Sequence, residues 1–389
     1  MKMNATNKVS EHRNIWMSSL FLCVLGLLMI YSASGSMALF KRQLIFIVAG
    51  FIACAIVQLF HYQILYKYAG AIYLISIICI FLLLSPAGVS VNGATRWLRI
   101  AGIQFQVAEI VKIGVIILLS YFLQRQRMNR DKIQLVILLW LFGGFAAGLL
   151  LIISNDLSSS LVVLGITFLM TFIFTEFFWL HVGVFVFGCT VVGIYVYSIW
   201  KNLPTVAELE NMSFRVGRIA AWLSPYKYES DQSYQTLQAL YAIGRGGLFG
   251  KGLGNSLQKF MIPEPHTDMI FSILCEELGV LGVGVLFSLL SYLLLYLVRT
   301  AKNTNDVFGS AIVVGVACHI AVQSFINLAV NVNVFPNTGI ALPFISYGGT
   351  AAFTLLCEIA MTLSVARSSE GLFCFKNKIK RKKTGRRKS

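Results

Sequence analysis

The chain has 389 residues, of which 57% are hydrophobic and only 12% are charged. A soluble domain of this length needs more polar residues to cover its surface, so the composition excludes one and indicates a polytopic membrane protein. The formal net charge is +16, and much of it lies in the C-terminal segment "KNKIKRKKTGRRKS". No aromatic residues alternate with these basic residues, so we expect contact with anionic lipid and no nucleic acid as partner.

Ten apolar stretches approach the roughly 20 residues that an α-helix needs to cross a bilayer. The first is too long for the apolar region of a cleaved signal peptide. We therefore expect an all-α polytopic membrane fold in which residues 1–370 form the membrane domain, 201–268 one large extracytoplasmic loop and 371–389 a basic cytoplasmic tail. The predicted spans are Ile15–Ala33, Gln43–Phe60, Tyr68–Ser85, Val107–Leu123, Leu135–Ile153, Leu157–Thr175, Phe177–Trp200, Met269–Val298, Val307–Val330 and Thr350–Ala366.

The orientation is predicted from the Lys and Arg residues of the short loops, which favour the cytoplasmic side. The loop "RQRMNRDK" after the fourth span, Arg299, Lys302 and the basic tail all fall on one side. The pairs "KR" and "RWLR" in two short loops fall on the other side and oppose this assignment. On balance both termini are predicted to be cytoplasmic.

Ionisable residues inside apolar stretches are costly and need partners. Glu109 and Lys112 are three residues apart in the fourth span, which predicts a structural ion pair on one helix face. Asp156 follows the fifth span in "SNDLSSS", where a helix cap and a chemical role both fit. Of Glu276 and Glu277, at least one must face the interior of the bundle.

The cysteines and histidines give no sign of a structural metal site. None of the eight cysteines forms a C-x-x-C pair or a Cys/His cluster with zinc-like spacing, which predicts no disulfide. His61, His181 and His319 are isolated in the sequence, and we expect no role for them.

The large loop contains two predicted short helices and a glycine-rich run. The segment "FRVGRIAAWLSP" predicts an amphipathic helix on the membrane surface that ends at Pro225. The segment "SYQTLQALYAIG" predicts a second helix, which the run "GRGGLFGKGLGNS" stops. That run matches no nucleotide-binding motif. Its glycines suit either a close approach to a sugar or pyrophosphate or a loop that needs positive φ.

Five segments together carry a resemblance to a known family. They are "NGATRWL", "FQVAEIVK", "NDLSSSLVVL", "QALYAIGRGGLFGKGLGNSLQKFMIPEPHTDMIFSILCEELGVLG" and "PNTGIALPFISYGGT". In order and approximate spacing the chain resembles the FtsW/RodA/SpoVE (SEDS) family over nearly its whole length, and "GLGNSLQK" is more similar to the division and sporulation branch. The chain departs from the usual Pro-Ser at Val107 and Ala108 and from "QPDLG" at Ser154, Asn155 and Ser158. The resemblance therefore implies no particular geometry for the starts of the fourth and sixth spans.

The resemblance implies a peptidoglycan glycosyltransferase that polymerises lipid II at the outer face of the bacterial cytoplasmic membrane. The implied role is in cell division or sporulation, with a class B penicillin-binding transpeptidase and other division or sporulation membrane proteins as partners. Two alternatives remain open on the sequence. One is a lipid II flippase or other transporter, which buried Glu109 and Lys112 would suit; the other is a non-catalytic division scaffold.

By position in "PEPHTD", Asp268 matches the family's general base. A helix N-cap at the start of the eighth span is the alternative role. Glu264 and His266 could orient Asp268 or hold a divalent cation.

Departure of a pyrophosphate requires cations, and arginine suits bidentate phosphate contact. We favour Arg215, Arg218 and Lys259, and Arg96 and Arg245 lie on the same predicted side. Mg²⁺ or Mn²⁺ bridging the pyrophosphate fits this chemistry, although the sequence contains no dedicated metal cage.

Overall fold

The computed structural model describes residues 5–91, 94–100, 102–126, 131–209, 214–229 and 233–369. The predicted tail, residues 371–389, and Arg127 and Arg130 of the loop after the fourth span lie outside the described residues. The described helices are α1 (Ala5–Ser34), α2 (Met37–Val57), α3 (Gln63–Leu82), α4 (Val107–Arg125), α5 (Ile133–Ile153), α6 (Leu157–Phe174), α7 (Phe178–Lys201), α8 (Val206–Leu209), α9 (Phe214–Leu223), α10 (Tyr234–Gly246), α11 (Ile270–Asn303), α12 (Val307–Asn331) and α13 (Gly349–Ser369).

Ten of these helices are long and apolar enough to cross a membrane. They are α1 to α7 and α11 to α13, so the prediction of an all-α fold with about ten spans is confirmed. The helices α4, α12 and α13 are the most buried and form the centre of the bundle, whereas α7 is peripheral. Large apolar side chains of α7, such as Trp179 and Phe187, are exposed, as expected for a helix that faces lipid.

Polar caps fix where two of the spans begin. The carboxylate of Asp156 accepts hydrogen bonds from the backbone N–H and the hydroxyl of Ser159, at 3.1 and 2.7 Å, and so caps α6. Asp306 caps α12 in the same way through the N–H of Gly309 at 3.1 Å. Of the two roles left open for Asp156, the cap is the one observed.

A small antiparallel sheet between α3 and α4 was not predicted. Its strands are β1 (Gly88–Val91), β2 (Ala94–Ile100) and β3 (Ile103–Gln106), in the order β1-β2-β3. The sequence did contain a signal, because an Asn-Gly pair lies between short runs of β-branched and aromatic residues, which is typical of a hairpin. The sheet holds Arg96 at the end of the bundle where α4 begins.

The eighth span is one long helix with a break. The predicted span over Met269–Val298 is confirmed, and within α11 Gly279 has φ 61° and ψ −161°, a break that the sequence did not predict. The first part of α11 is enclosed by protein, and both Glu276 and Glu277 are fully buried. The prediction that at least one of these carboxylates faces the interior is confirmed.

The two predicted helices of the large loop are present as α9 and α10. The buried residues of α9, Ala220 and Ala221, pack with Ile199, Leu209 and Tyr228, and Trp222 donates to the carbonyl of Asn333 at 3.0 Å. The small side chains of α9 therefore pack against the chain itself, and its position on the membrane surface stays a prediction. The helix α9 covers one end of the bundle.

Candidate active site

A cavity of about 500 Å³ opens at the end of the bundle where the segments following α3, α5, α7 and α12 meet. Its lining is polar and unusually rich in ionisable side chains for a membrane domain. The charged and amide residues that line it are Arg96, Gln106, Glu109, Lys112, Asp156, Arg218, Gln235, Glu264, Asp268, Gln323 and Asn337. Among them are Arg96, Arg218, Glu264 and Asp268, which the sequence predicted as site residues.

Asp268 precedes α11 but does not cap it. The N-cap position is Met269, and the N–H and hydroxyl of Ser272 donate instead to the side-chain oxygen of Asn331, at 3.3 and 2.6 Å. The cap role proposed for Asp268 is therefore wrong, because α12 supplies the acceptor from outside the helix. The carboxylate of Asp268 is left available to the cavity.

Two amides hold the backbone of Asp268 in place. Its carbonyl accepts hydrogen bonds from the Nδ2 groups of Asn327, at 2.8 Å, and Asn331, at 2.9 Å. Both asparagines are almost completely buried on α12. Sequence reasoning did not select them, although two asparagines four residues apart in an apolar span are a usable signal.

The side chain of Asp268 is oriented by neutral donors. Its Oδ1 accepts from the hydroxyl of Thr267 at 3.0 Å and from Nε2 of Gln235 at 3.3 Å. Gln235 is itself fixed by Asn337, whose Nδ2 donates to its Oε1 at 3.1 Å. Burial raises the pKa of the Asp268 carboxyl above its ordinary value, and the bonds to Thr267 and Gln235 and the charge of Arg218 partly oppose this rise.

Two arginines line the same cavity. Arg218 donates to the carbonyl of Asn337 at 3.0 Å, and burial lowers the pKa of its guanidinium, an effect that nearby Arg96 adds to and Asp268 opposes. Arg96 donates to the carbonyl of Asn155 at 3.4 Å and lies 4.0 Å from the carboxylate of Asp156. The cavity therefore places Arg218 in the electrostatic surroundings of Asp268, with Arg96 beside Arg218 and Asp156.

Arg215 lies at the outside of this group. It is exposed, and its guanidinium donates to the side chain of Asn155 at 2.5 Å. Asn155 has φ 53°, a left-handed conformation that asparagine tolerates well, and it accepts from both Arg96 and Arg215. One of the positions where the chain departs from the family pattern thus organises two of the predicted cations.

Lys259 is not brought to the cavity. Its ammonium donates to the carbonyls of Gly254, at 2.7 Å, and Ser32, at 3.2 Å, and so ties the glycine-rich run to α1. Arg245 likewise lies 3.9 Å from the buried carboxylate of Glu276. The prediction that Lys259 contacts a phosphate in the site is corrected, because the amine is already used between two backbone carbonyls.

Glu264 and His266 form the turn that precedes Asp268. Glu264 has φ 46°, and its carbonyl accepts from the N–H and hydroxyl of Thr267 at 3.0 and 2.7 Å. The ring of His266 lies edge-on to Tyr347 with centroids 5.3 Å apart, and burial lowers the pKa of its imidazole. Through these contacts the turn is fixed to the segment before α13.

The donor set does not by itself fit a resident divalent cation. Across the described part of the chain, no group of three or more His, Cys, Asp or Glu side chains is placed to hold a metal ion. The guanidinium of Arg218 acts on Asp268 electrostatically, and its positive charge would repel a cation there.

The floor of the cavity is a hydrogen-bonded chain of buried groups. Lys112 donates to Glu109 at 2.7 Å and to Oε1 of Gln323 at 2.8 Å, and the same oxygen lies 2.8 Å from Nε2 of His319. The other ring nitrogen of His319 lies 2.7 Å from Glu358. His319, for which the sequence predicted no role, therefore has two partners: Gln323 lies one turn away on α12, and Glu358 comes from α13.

Comparison with known proteins gives a consistent family. The family model FTSW_RODA_SPOVE, described as "Cell cycle protein", matches residues 12–371. Stage V sporulation protein E of Bacillus subtilis (strain 168) is 34% identical over 378 residues, which cover 94% of this chain and 99% of that protein. A probable peptidoglycan glycosyltransferase FtsW of Geobacter sp. (strain M18) is 31% identical over 374 residues, covering 92% and 97%.

Solved structures agree over the same length. A chain from work on the structural coordination of polymerization and crosslinking by a peptidoglycan synthase complex has a TM-score of 0.75 and 26% identity, covering 91% of this chain and 97% of its own. The crystal structure of rod shape determining protein RodA of Thermus thermophilus has a TM-score of 0.64 and 25% identity, covering 91% and 96%. The ten-span arrangement is thus one that solved proteins share.

Proposed function

This chain belongs to the FtsW/RodA/SpoVE family, and we propose that it is a peptidoglycan glycosyltransferase that polymerises lipid II in cell division or sporulation. Relatives that match nearly the whole chain carry the names peptidoglycan glycosyltransferase and sporulation protein. The observation that carries the proposal is the carboxyl group of Asp268, oriented by neutral donors in a polar cavity that also contains Arg96 and Arg218. A scaffold has no need of such a group.

In the proposed reaction, the hydroxyl oxygen of the acceptor sugar attacks the anomeric carbon of the donor. The bond between that carbon and the pyrophosphate oxygen breaks, and the pyrophosphate leaves with the bonding electrons. A β-1,4 bond formed from an α-linked donor inverts the anomeric configuration, so one base suffices. Asp268 accepts the proton of the hydroxyl as general base.

The surroundings of Asp268 suit this role. Its raised pKa brings the carboxylate closer in basicity to neutral pH, which favours proton acceptance from a hydroxyl. Gln235 and Thr267 donate only to Oδ1, and so they set the direction of the carboxylate without adding a charge. Positioned general bases contribute about 10²- to 10⁴-fold to rate.

The leaving group carries negative charge that must be stabilised as it departs. Arg218 and Arg96 line the cavity and are proposed to contact the pyrophosphate, with Arg215 at its entrance. Preorganised cations of this kind stabilise charge that develops in the transition state. Glu264 and His266 are proposed to contact substrate or to hold the turn that presents Asp268. Glu109 and Lys112 are proposed as a structural ion pair beneath the site.

The reaction is proposed to occur at the outer face of the bacterial cytoplasmic membrane. Segments after α3, α5, α7 and α12 share one end of an alternating bundle, and the basic loops favour the cytoplasm for the other end. The proposal therefore has both termini in the cytoplasm and Asp268 on the side where lipid-linked sugars are polymerised.

The proposed partner is a class B penicillin-binding transpeptidase, together with other division or sporulation membrane proteins. The support is the structural likeness to a chain of a peptidoglycan synthase complex in which polymerization and crosslinking are coordinated. A separate transpeptidase would crosslink the strands that this chain makes.

The test of the function is polymerisation of labelled lipid II by the purified protein in liposomes, alone and with its transpeptidase. We expect glycan strands whose formation moenomycin does not block. A protein that moves lipid II between leaflets without joining it would instead be a flippase, and one that does neither with the partner present would be a scaffold.

A further inference from the structure

The glycine-rich run before α11 carries an apolar surface that the proposed reaction does not use. Along residues 247–261 the side chains of Phe249 and Phe260 are each 78% exposed, and that of Leu248 is 66% exposed. Three further apolar residues of the run are more than half exposed: Leu253, Leu257 and Met261. An exposed apolar patch of this size marks a contact with protein or membrane.

This run is bound to the break in α11. The break at Gly279 interrupts the helical hydrogen bonds, and the run replaces them from the side. The N–H groups of Lys251 and Gly252 donate to the carbonyls of Glu276 and Glu277, each at 2.9 Å. The N–H groups of Val280 and Leu281, which follow Gly279 in α11, donate to the carbonyls of Gly247 and Leu248 at 3.0 and 3.2 Å. These four bonds satisfy backbone groups of the run at Gly247, Leu248, Lys251 and Gly252 within the protein, and such pairing favours entry into hydrocarbon.

The length of α11 shows at which depth this happens. Its 34 residues extend about 51 Å, well beyond the roughly 30 Å of a hydrocarbon core. Basic residues mark the membrane interface, and Arg299 stands near the far end of the helix. Twenty residues, or about 30 Å, separate Arg299 from Gly279, so Gly279 falls at the opposite edge of the hydrocarbon.

Exposure along α11 changes at the same point. Residues 270–277 are all buried in protein, whereas Val280, Leu281 and Val285 are exposed, as expected for side chains that face lipid. The run adjoins this surface, because the backbone N–H of Leu281 donates a hydrogen bond to the carbonyl of Leu248.

The charge of the run fits the same environment. Residues 244–263 contain Arg245, Lys251 and Lys259 and no acidic residue. Exposed apolar side chains combined with basic residues are the composition of segments that lie in the lipid headgroup region.

We propose that residues 247–261 are inserted in the membrane leaflet on the cavity side, with Leu248, Phe249 and Phe260 in hydrocarbon and Lys251 among the lipid phosphates. The inserted run then anchors the part of α11 before Gly279, which holds Asp268 at a fixed distance from the hydrocarbon. The inference concerns membrane contact alone and does not depend on the proposed reaction.

The test uses nitroxide spin labels on the full-length protein in liposomes, with Cys189 and Cys374 replaced by serine. Labels are attached to the variants Phe249→Cys and Phe260→Cys. A third label, at Val285→Cys, serves as the lipid-facing reference, and one at Tyr226→Cys, a site that is 73% exposed and outside the predicted spans, serves as the aqueous reference.

Labels at 249 and 260 should collide more with oxygen than with a water-soluble nickel reagent, as at 285. A label at Lys251→Cys should lie between the two references. Nickel accessibility at 249 and 260 equal to that at 226 would place the run in water. Shielding from both reagents would place it against protein, and either result would overturn the proposal. Two independent exposed positions ensure that loss of one variant during purification does not remove the test.

Discussion

At the scale of single residues, the surroundings of Asp268 both destabilise its carboxylate and make it a stronger base. A carboxyl group that is surrounded by protein and held by neutral donors is less stable as an anion than in water, which raises its pKa. The same destabilisation makes it a better proton acceptor near neutral pH. Perturbed groups in polar cavities are typical of active sites for this reason.

The direction of this shift gives a pH prediction. Polymerisation should increase with pH through the raised pKa of Asp268 and then level off, because only the carboxylate accepts a proton.

The stability of the fold should change with pH in the opposite direction. A raised carboxyl pKa stabilises the fold below the unfolded-state pKa, and this contribution is lost as pH rises through the folded pKa. The variant Asp268→Asn should therefore unfold at an equal or higher temperature than wild type at neutral pH, with the difference shrinking in acid.

Thermal unfolding of both proteins in one detergent across a pH series is the measurement. A wild-type protein that is clearly more stable than Asp268→Asn at neutral pH would mean that the ionised carboxylate stabilises the fold.

A site residue could be predicted from the sequence when the pattern that marks it is local, and not when its contacts come from distant parts of the chain. Asp268 and Arg218 lie in segments whose motifs are local, and the structure places both at the cavity. Lys259 has the right charge and the right side of the membrane, yet its partners are carbonyls of Ser32 and Gly254. His319 looks isolated because its partner Glu358 belongs to another helix.

At the scale of elements, α11 is the helix on which the site depends, and its start is determined by α12. Asn331 accepts from Ser272 and donates to the carbonyl of Asp268, so one buried amide both caps the helix and fixes the residue before it. Hydropathy located this helix correctly, but hydropathy averages over a window and gives no sign of either the external cap or the break at Gly279.

We predict that Asn331→Leu lowers kcat for polymerisation by at least tenfold while KM changes little. Leucine has similar volume but neither bond, so Asp268 loses one of the two donors to its carbonyl and α11 loses its acceptor, a cap worth about 1 kcal/mol. The matched control is Ser324→Ala on the same helix, whose buried hydroxyl has no partner among the described residues. Equal loss of kcat in both variants, or a loss seen only in KM, would contradict a positioning role for Asn331.

The break in α11 gives a second element-scale prediction through a pair of glycines. A Cβ at Gly279 would lie 2.4 Å from the backbone nitrogen of Gly250, and the residue has φ 61°. Gly279→Ala should therefore destabilise the protein by more than the ~1–3 kcal/mol of a strained backbone conformation. Gly284, five residues on, has nothing within 4 Å of its Cβ position. Gly284→Ala should be neutral or stabilise by up to about 1 kcal/mol.

Thermal unfolding of the two alanine variants beside wild type is the measurement. Comparable melting of Gly279→Ala and wild type would show that the run at residues 247–252 is not tightly bound to the break.

At the scale of the whole molecule, composition and the length of the apolar stretches predicted most of the fold. Ten spans, their order and the large segment between α7 and α11 follow from the bilayer thickness, which imposes one length on every crossing helix. The small sheet and the packing of α9 over the bundle were missed, because both depend on contacts between distant segments. The cavity itself is lined by residues of four separate loop segments and of the helices α4, α6, α12 and α13, so no single stretch of sequence contains it.

The orientation of the bundle is a prediction of the same scale. A thiol introduced at Asn202, after α7, should react with a membrane-impermeant reagent added outside intact cells, and a thiol at Lys132, before α5, should react only after permeabilisation. The reason is the excess of basic residues in the loops assigned to the cytoplasm. The reverse pattern would place the cavity in the cytoplasm, away from the growing glycan strand.

The most direct measurement is the rate of lipid II polymerisation by Asp268→Asn and wild type at matched amounts in the same liposomes. Asparagine retains the size of the side chain and the oxygen that Gln235 and Thr267 bond, but it does not accept the proton. The rate should fall by about 10²- to 10⁴-fold, with insertion and transpeptidase binding unchanged. Glu264→Gln, which neutralises the neighbouring exposed carboxylate, is the control and should lose far less. A rate for Asp268→Asn above about a tenth of wild type, outside the range for a base, would contradict general-base catalysis by Asp268.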